Sequence, residues 1–343
     1  MSINLIKINP LISSGWDDAV LKSPQPQFFH QSCWLKTLID TYNFKPLCFI
    51  IQDGGGGAVP FLVIKSLKGK KKAVALPFSD GCDILCSGIK EDELVTTLLK
   101  IAKEEKLDRL EFKGVTGFKP FAEVSHSYYG HKLQLSKDEK KLWKNLSSSK
   151  QRNIKKSRKE NISVTFHNEI DSVKEYYRLH CITRKRHGLP PQPMRFFESI
   201  QSNILTKGFG EIGLAKIENT TVAGALYLFS KKEVLYKFGA SDKNLQFLRA
   251  NDLLMWEAIL RYAQRNFAHF SFGKTEKYHD GLCRFKEGFG AEQIIMNDFC
   301  YNVKTGNLVK DAPGVHGFHN KVFELMPIPL LKFCGEILYK YST

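Results

Sequence analysis

The order of secondary-structure patterns between residues 211 and 272 constrains the fold more than any other feature of this sequence. Three runs rich in β-branched and aromatic residues, at 211–217, 221–229 and 234–238, are separated by short polar turns. A helix pattern over residues 251–265 follows and leads into a fourth apolar run at 269–272. A strand meander followed by a helix and a strand predicts an α+β fold with mixed α/β layers, in which a mostly antiparallel sheet is flanked by helices.

The length of the chain predicts two domains. At 343 residues it exceeds the usual size of a single core, and its 43% apolar content supports burial on that scale. Lysine and arginine dominate residues 136–159, and we place the domain boundary at the start of this stretch. The predicted division is an N-terminal domain over residues 1–135, a C-terminal domain over 136–310 and a helical tail over 311–343.

The charge of the chain predicts an anionic partner. Fifty-one lysines and arginines against 35 acids give a formal net charge of +16, which attracts nucleic acid, anionic lipid or a phosphorylated substrate without choosing among them. Residues 149–160 are predicted to continue as a helix, with Arg152, Lys155 and Lys159 at i, i+3 and i+7 on one face. Like charges on one face repel, so this face indicates an anion; a solvated helix on a basic protein is the alternative.

The cysteines and the chain ends indicate a cytoplasmic protein without a metal site. The eight cysteines form no CxxC pair, and the first residues lack the pattern of a secretory signal. No stretch approaches the ~20 apolar residues of a spanning helix. Residues 325–341 are apolar with interspersed Lys332 and Lys340, which predicts either a helix packed on the domain or an interfacial helix in peripheral contact with the inner membrane.

The stretch Ser271–Gly290 concentrates lysines, glycines and aromatic residues. Phe285 and Lys286 place a ring beside a cationic side chain, and Gly288 and Gly290 then free the backbone. We interpret this as a turn in which main-chain amides and a lysine meet an anionic or polarised oxygen.

Together with the segment from Arg184 to Pro193, this stretch resembles the FemAB-like acyltransferases of the GNAT superfamily, over about residues 28–290. The resemblance implies two tandem GNAT-like domains and transfer of amino acids from aminoacyl-tRNA to the peptide stem of a cell-wall precursor. Other proteins of similar pattern lie in exopolysaccharide gene neighbourhoods. The resemblance also implies that Phe285 and Lys286 assist transfer from charged tRNA, and that proton transfer is substrate-assisted, without a protein base.

Residues 246–251 depart from the sequence pattern of the loop that binds acyl-CoA in GNAT enzymes. That pattern, Gln/Arg-x-x-Gly-x-Gly/Ala, binds pyrophosphate with backbone amides at a helix N-terminus, but here Arg249 and Asn251 replace small residues. The departure favours aminoacyl-tRNA as donor substrate, with no bound cofactor. The alternative is an acetyl-CoA-dependent enzyme that modifies an amino sugar in exopolysaccharide biosynthesis. A non-enzymatic RNA- or membrane-binding protein is a third interpretation, although the sequence lacks the motifs of an RNA-recognition module.

The substrate-binding candidates combine phosphate or carboxylate ligands with polar wall residues. Arginine suits the former because its planar fork bonds oxygens in pairs. Asp80 follows an apolar run, at a position where it either belongs to a ligand site or only stabilises the turn. The predicted catalytic residues are Phe285 and Lys286, and the predicted substrate-binding residues are Asp80, Arg152, Lys155, Arg184, Arg186, His187, Tyr236, Lys237, Arg249, Asn251, Lys274 and Tyr278.

Overall fold

The computed structural model describes residues 3–13, 15–23, 26–52, 56–117, 123–310 and 318–341. The chain forms two compact units that are each discontinuous in sequence. Unit 1 consists of Met1–Tyr128, Ile295–Val315 and Leu338–Thr343, and unit 2 consists of Tyr129–Ile294 and His316–Ile337. The start of the predicted C-terminal tail, residues 311–317, lies outside the described residues.

Groups of consecutive strands are separated by one or two helices along most of the chain. The strands are β1 (Leu5–Ile8), β2 (Lys45–Ile51), β3 (Gly57–Lys65), β4 (Lys71–Val74), β5 (Leu85–Cys86), β6 (Arg109–Val115), β7 (His126–Gln134), β8 (Ser163–His167), β9 (Gly210–Ile217), β10 (Thr220–Phe229), β11 (Glu233–Ser241), β12 (His269–Glu276) and β13 (Glu292–Asn302). The α-helices are α1 (Gly15–Lys22), α2 (Ser32–Tyr42), α3 (Glu91–Glu104), α4 (Glu139–Asn145), α5 (Ser148–Lys159), α6 (Ile170–Arg186), α7 (Met194–Ile200), α8 (Ala250–Gln264), α9 (Asp280–Glu287), α10 (Phe318–Leu325) and α11 (Ile328–Leu338).

Unit 1 is built on a mostly antiparallel sheet. Strands β1, β2, β3 and β4 pair antiparallel in that order, β4 pairs β6 in parallel, and β6 pairs antiparallel with the C-terminal part of β13. Its core lies between this sheet and α3, where Phe61, Leu98 and Phe112 are almost fully buried.

Unit 2 contains the predicted meander. Strands β8 to β11 pair antiparallel in chain order, β11 pairs β12 in parallel, and β7 lies beside β12. Helices cover both faces of this sheet, since Gly213 lies against Leu254 of α8 and Gly224 lies against Tyr176 of α6. The predicted α+β fold, with mostly antiparallel sheets flanked by helices, is confirmed.

The parallel pair β11 and β12 is joined only at its beginning. Its pairing runs from Glu233↔His269 to Leu235↔Ser271, whereas β11 continues to Ser241 and β12 to Glu276. The two strands therefore separate toward their C-terminal ends. Ligand sites in α/β sheets favour such ends, because backbone polar groups there lack a neighbouring strand.

Among the described residues, no helix combines the length and apolar character that crossing a bilayer requires.

Candidate functional site

Lys286 lies on a helix, not in the predicted turn. Helix α9 runs through Glu287, and the turn follows at Gly288 to Gly290. The prediction of a turn at Phe285 and Lys286 is wrong because Cys283 and Lys286, three residues apart, form the buried face of this short helix. The helix therefore holds Lys286 inside unit 2.

The ammonium group of Lys286 is buried and bonded to two successive carbonyls. The residue is 2% exposed, and its Nζ donates to the carbonyls of Gly273 at 3.1 Å and Lys274 at 3.3 Å. Gly273 has a φ of 66°, a left-handed conformation that interrupts the alternation of β12, so that neighbouring carbonyls can reach one donor. Both carbonyls lie on the part of β12 that has separated from β11.

A second buried titratable group, His131 of β7, lies close to Lys286. His131 is 1% exposed, and neither of its ring nitrogens has a hydrogen-bond partner among the described residues. Nε2 lies 3.6 Å from Oε1 of Glu287. Burial and then the charge of Lys286 lower the pKa of His131, against an opposing effect of Glu287, so the surroundings disfavour the protonated ring. His131 is absent from the residues predicted above, because a histidine in a strand pattern carries no sign of its neighbours.

Phe285 connects this region to a buried ion pair. The pair joins Nζ of Lys150 and Oδ1 of Asp252, and both residues are 6% exposed. Nζ of Lys150 lies 3.7 Å from the ring centroid of Phe285 and 4.7 Å from that of Phe289. Asn153 donates to the second carboxylate oxygen of Asp252 at 2.9 Å. The ammonium is thus held by one carboxylate and two aromatic faces.

The sequence contains a signal for the burial of Lys150 that the prediction of a basic face overlooked. Lys150, Ile154 and Ser157 are the buried residues of α5, at i, i+4 and i+7. Arg152 and Lys155, which belong to the predicted basic face, lie exposed on the other side of this helix. Burial nonetheless lowers the pKa of Lys150, although Asp252 opposes the shift.

A pocket of about 200 Å³ opens at the N-terminus of α8, lined by residues that include Ser241, Arg249, Asp252 and Phe285. Arg249 has a φ of 57°, so its backbone adopts the left-handed conformation that glycine favours. Its side chain is exposed. Within the described residues, the amides of Ala250 and Asn251 donate to no acceptor. A helix N-terminus of this kind attracts anions.

The predicted arginine and histidine ligands lie together at the C-terminal end of α6. Nε of Arg184 donates to the carbonyl of Pro190 at 3.2 Å, and Nη2 of Arg186 lies 3.4 Å from Nε2 of His187. Nη1 of Arg186 is buried without an acceptor in the described part of the chain. Burial lowers the pKa of His187, followed by the charges of Arg186, Arg184 and His279. Several cations therefore converge where a bound anion would stabilise them.

His180, one turn earlier on α6, predicts acid sensitivity. Its Nε2 lies 2.8 Å from Oε1 of Gln192, to which it donates, and burial followed by the charge of Arg184 lowers its pKa to about 3. The neutral His180 ring contributes fully to the stability of the fold above the unfolded pKa of 6.5. That contribution is lost progressively as the pH falls toward 3, because the unfolded chain binds a proton there and the folded protein does not. Between pH 6.5 and about pH 5, we expect this residue to remove about 2 kcal/mol of unfolding free energy.

Urea unfolding of the wild type and His180→Asn at both pH values measures this effect. The variant has no group that titrates here, so its pH dependence should be flatter by that amount. Equal pH dependence in the two proteins would contradict the assignment.

The remaining predicted residues occupy several places. Lys237 lies on β11 with Nζ 4.9 Å from the ring centroid of Phe238, and burial raises the pKa of the neighbouring Tyr236 to about 12. Lys274 is half-buried on β12, whereas Tyr278 is 53% exposed in the turn before α9. Asp80 belongs to unit 1 and lies outside the unit that holds the other candidates. Phe285, Arg249 and Asn251 line one pocket, and the arginine and histidine group of α6 forms a separate cluster.

In the described ranges, no group of histidine, cysteine or acidic residues could hold a metal ion.

Part of the chain matches a family model in sequence, and most of the chain is similar to solved structures in fold. Residues 146–287 match the family model of the acetyltransferase (GNAT) domain, and no curated protein matches the chain significantly. The crystal structure of FemX is similar, with 16% identity, a TM-score of 0.67, and coverage of 87% of this chain and 97% of that chain. L-PGS from Bacillus licheniformis has 10% identity and a TM-score of 0.56, with coverage of 92% and 97%.

A tandem GNAT protein from the clavulanic acid biosynthesis pathway is also similar, with 10% identity, a TM-score of 0.52, and coverage of 91% of this chain and all of that chain. At these identities, the likeness establishes a shared fold. The matched segment 146–287 includes Lys150, Asp252, Phe285 and Lys286.

Proposed function

We propose that this protein transfers an aminoacyl or acyl group to an amine of an anionic cell-envelope precursor, such as a peptidoglycan stem peptide. The match of residues 146–287 to the acetyltransferase (GNAT) domain and the fold shared with FemX support this proposal. The observation that carries the proposal is the buried ammonium of Lys286. It donates to the carbonyls of Gly273 and Lys274, in the part of β12 that no longer pairs with β11. A lysine on a solvated surface would not need this arrangement.

In the proposed reaction, the charge of Lys286 stabilises the negative charge that forms on the donor carbonyl. The acceptor amine attacks the carbonyl carbon of the donor ester, a C–N bond forms, and the carbonyl oxygen becomes an oxyanion. The C–O bond to the tRNA ribose then breaks, and the leaving hydroxyl receives the proton that the amine loses. Lys286 stabilises the oxyanion by its charge, and burial strengthens that effect because water does not screen it.

Two groups of residues support binding of the substrates. The exposed Arg249 and the amides of Ala250 and Asn251 suit a phosphate of the donor. The cluster of Arg184, Arg186 and His187 suits a phosphate or carboxylate of the acceptor, because the buried Nη1 of Arg186 has no acceptor among the described residues.

One observation favours acetyl-CoA as an alternative donor, with an amino sugar as acceptor. The sequence pattern predicts that Arg249 prevents close approach of a pyrophosphate. Its backbone takes the left-handed conformation of the glycine that it replaces, and the following amides remain available. The local geometry therefore suits a pyrophosphate as well as a tRNA phosphate.

The test presents the purified protein with a pool of charged tRNAs or with acetyl-CoA, each combined with nucleotide-linked muropeptides and with amino sugars. Products are identified by mass. We expect a gain of one aminoacyl group that requires charged tRNA and disappears with uncharged tRNA. A gain of one acetyl group on an amino sugar would support the alternative donor. No mass gain with any combination would contradict acyl transfer to these acceptors.

A further inference from the structure

The two C-terminal helices of unit 2 expose an unusual number of large apolar side chains. We call Val322, Leu325, Leu330, Phe333 and Ile337 the apolar stripe. Their exposed fractions are 43%, 83%, 49%, 58% and 43%. Single exposed apolar residues are common on proteins, but five within sixteen residues of sequence, on two consecutive helices, indicate a binding surface.

The packing of α11 holds the stripe outward. Leu330, Phe333 and Ile337 lie at i, i+3 and i+7 and share one face, while Leu331 and Gly335 are buried on another. A Cβ atom on Gly335 would lie 2.0 Å from the carbonyl oxygen of Pro191, so the helix backbone packs directly on that segment. The face of α11 that carries Gly335 therefore meets the domain, and Phe333 lies away from that contact.

The stripe lies beside the basic end of α6. Nδ2 of Asn320 in α10 donates to the carbonyl of Gly188 at 3.0 Å, and Nζ of Lys332 in α11 lies 5.1 Å from the ring centroid of Tyr177. These contacts attach both helices to α6 and its following turn, where Arg184, Lys185 and Arg186 are consecutive.

The charge near the stripe comes from α6. Within α10 and α11, Lys321 and Lys332 are balanced by Glu324 and Glu336. The last turn of α6 carries three consecutive cations, and the whole chain carries a net charge of +16. Apolar side chains next to cations suit a bilayer surface, where anionic headgroups lie over apolar acyl chains.

We propose that the apolar stripe docks this protein on the surface of an anionic lipid bilayer, with α10 and α11 lying in the plane of the headgroups. The helices have 8 and 11 residues, far fewer than the ~20 that span a bilayer. Leu330, Phe333 and Ile337 enter the acyl boundary, and Lys185, the cation of this turn that lies outside the proposed acceptor cluster, attracts lipid phosphates. A second copy of the chain is a poorer occupant, because both copies carry the same large positive charge.

Sedimentation of the full chain with phosphatidylglycerol-containing vesicles tests this proposal. We expect Leu330→Asp combined with Phe333→Asp to weaken the partition coefficient at least about tenfold, since two partly exposed apolar side chains lose their burial in lipid. The matched control is Ile12→Asp combined with Leu67→Asp, at residues of unit 1 that are 84% and 69% exposed. The control should bind as the wild type does, and all proteins are checked for unchanged circular dichroism.

Three results would overturn the proposal. Absence of the wild type from the vesicle pellet at low salt would show that the stripe does not meet lipid. If the stripe variant bound vesicles as strongly as the wild type does, binding would depend on charge alone. A dimer in light scattering that only the stripe variant loses would make a second copy the occupant. No substrate enters these measurements, so their outcome is independent of the proposed transfer reaction.

Discussion

Replacement of Lys286 by methionine is expected to lower the rate of product formation about 10²- to 10³-fold, the loss that follows removal of one group stabilising an oxyanion. Methionine keeps a similar length and apolar volume, so the change removes mainly the charge. The carbonyls of Gly273 and Lys274 lose the donor that now reaches them at 3.1 and 3.3 Å, which we expect to cost about 1–3 kcal/mol of stability.

The measurement is the rate of mass gain under saturating donor, together with urea unfolding of the same preparation. Lys277→Met is the matched control, because Lys277 is exposed in the turn before α9 and Lys286 is buried. The control should keep its rate. Full transfer activity in Lys286→Met would remove Lys286 from the mechanism, and an inactive variant that is also unfolded would assign it a structural role.

Replacement of Asp252 by asparagine is expected to lower the free energy of unfolding by about 3 kcal/mol, which is typical of breaking a buried ion pair. The ammonium of Lys150 would remain in a site where both partners are 6% exposed, without its carboxylate. The rings of Phe285 and Phe289 lie 3.7 and 4.7 Å from Nζ and compensate only part of that loss.

Urea unfolding measures this prediction against an exposed pair. Lys36 and Asp40 also form an ion pair, but their side chains are 46% and 37% exposed, so Asp40→Asn should change stability by less than about 0.5 kcal/mol. The double variant Lys150→Met with Asp252→Leu should recover most of the loss, because it removes both charges at once. Equal effects of Asp252→Asn and Asp40→Asn would show that burial does not control this pair.

The ion pair also bears on the proposed site. Phe285 contacts Lys150 on one side, lines the pocket at the N-terminus of α8 and precedes Lys286 in sequence. Both changes should lower stability, but Lys286→Met should lower the transfer rate far more than Asp252→Asn does. The ratio of the two effects separates a residue that positions the site from one that acts on the substrate.

Local patterns are sufficient to predict the elements around the site. Runs rich in β-branched and aromatic residues predict β9, β10 and β11, and the basic stretch predicts a helix over residues 149–160, which forms as α5 with Ser147 accepting from the amide of Lys150 at 3.4 Å. These predictions are confirmed because strand propensity and helix capping depend on residues within a few positions. The Phe285–Lys286 pair indicates a FemAB-like protein, but the predicted turn is wrong because the two glycines follow the helix instead of interrupting it.

The sequence by itself determined the strand meander, the basic helix and the GNAT-like order of elements, since each rests on periodicity and local backbone preference. Only the tertiary structure decided which charged groups leave water. Lys150 meets Asp252 at a sequence separation of 102 residues, and Lys286 meets the carbonyl of Gly273 at a separation of 13. Burial of a charge depends on such a partner, and no local pattern specifies where in the chain that partner is found.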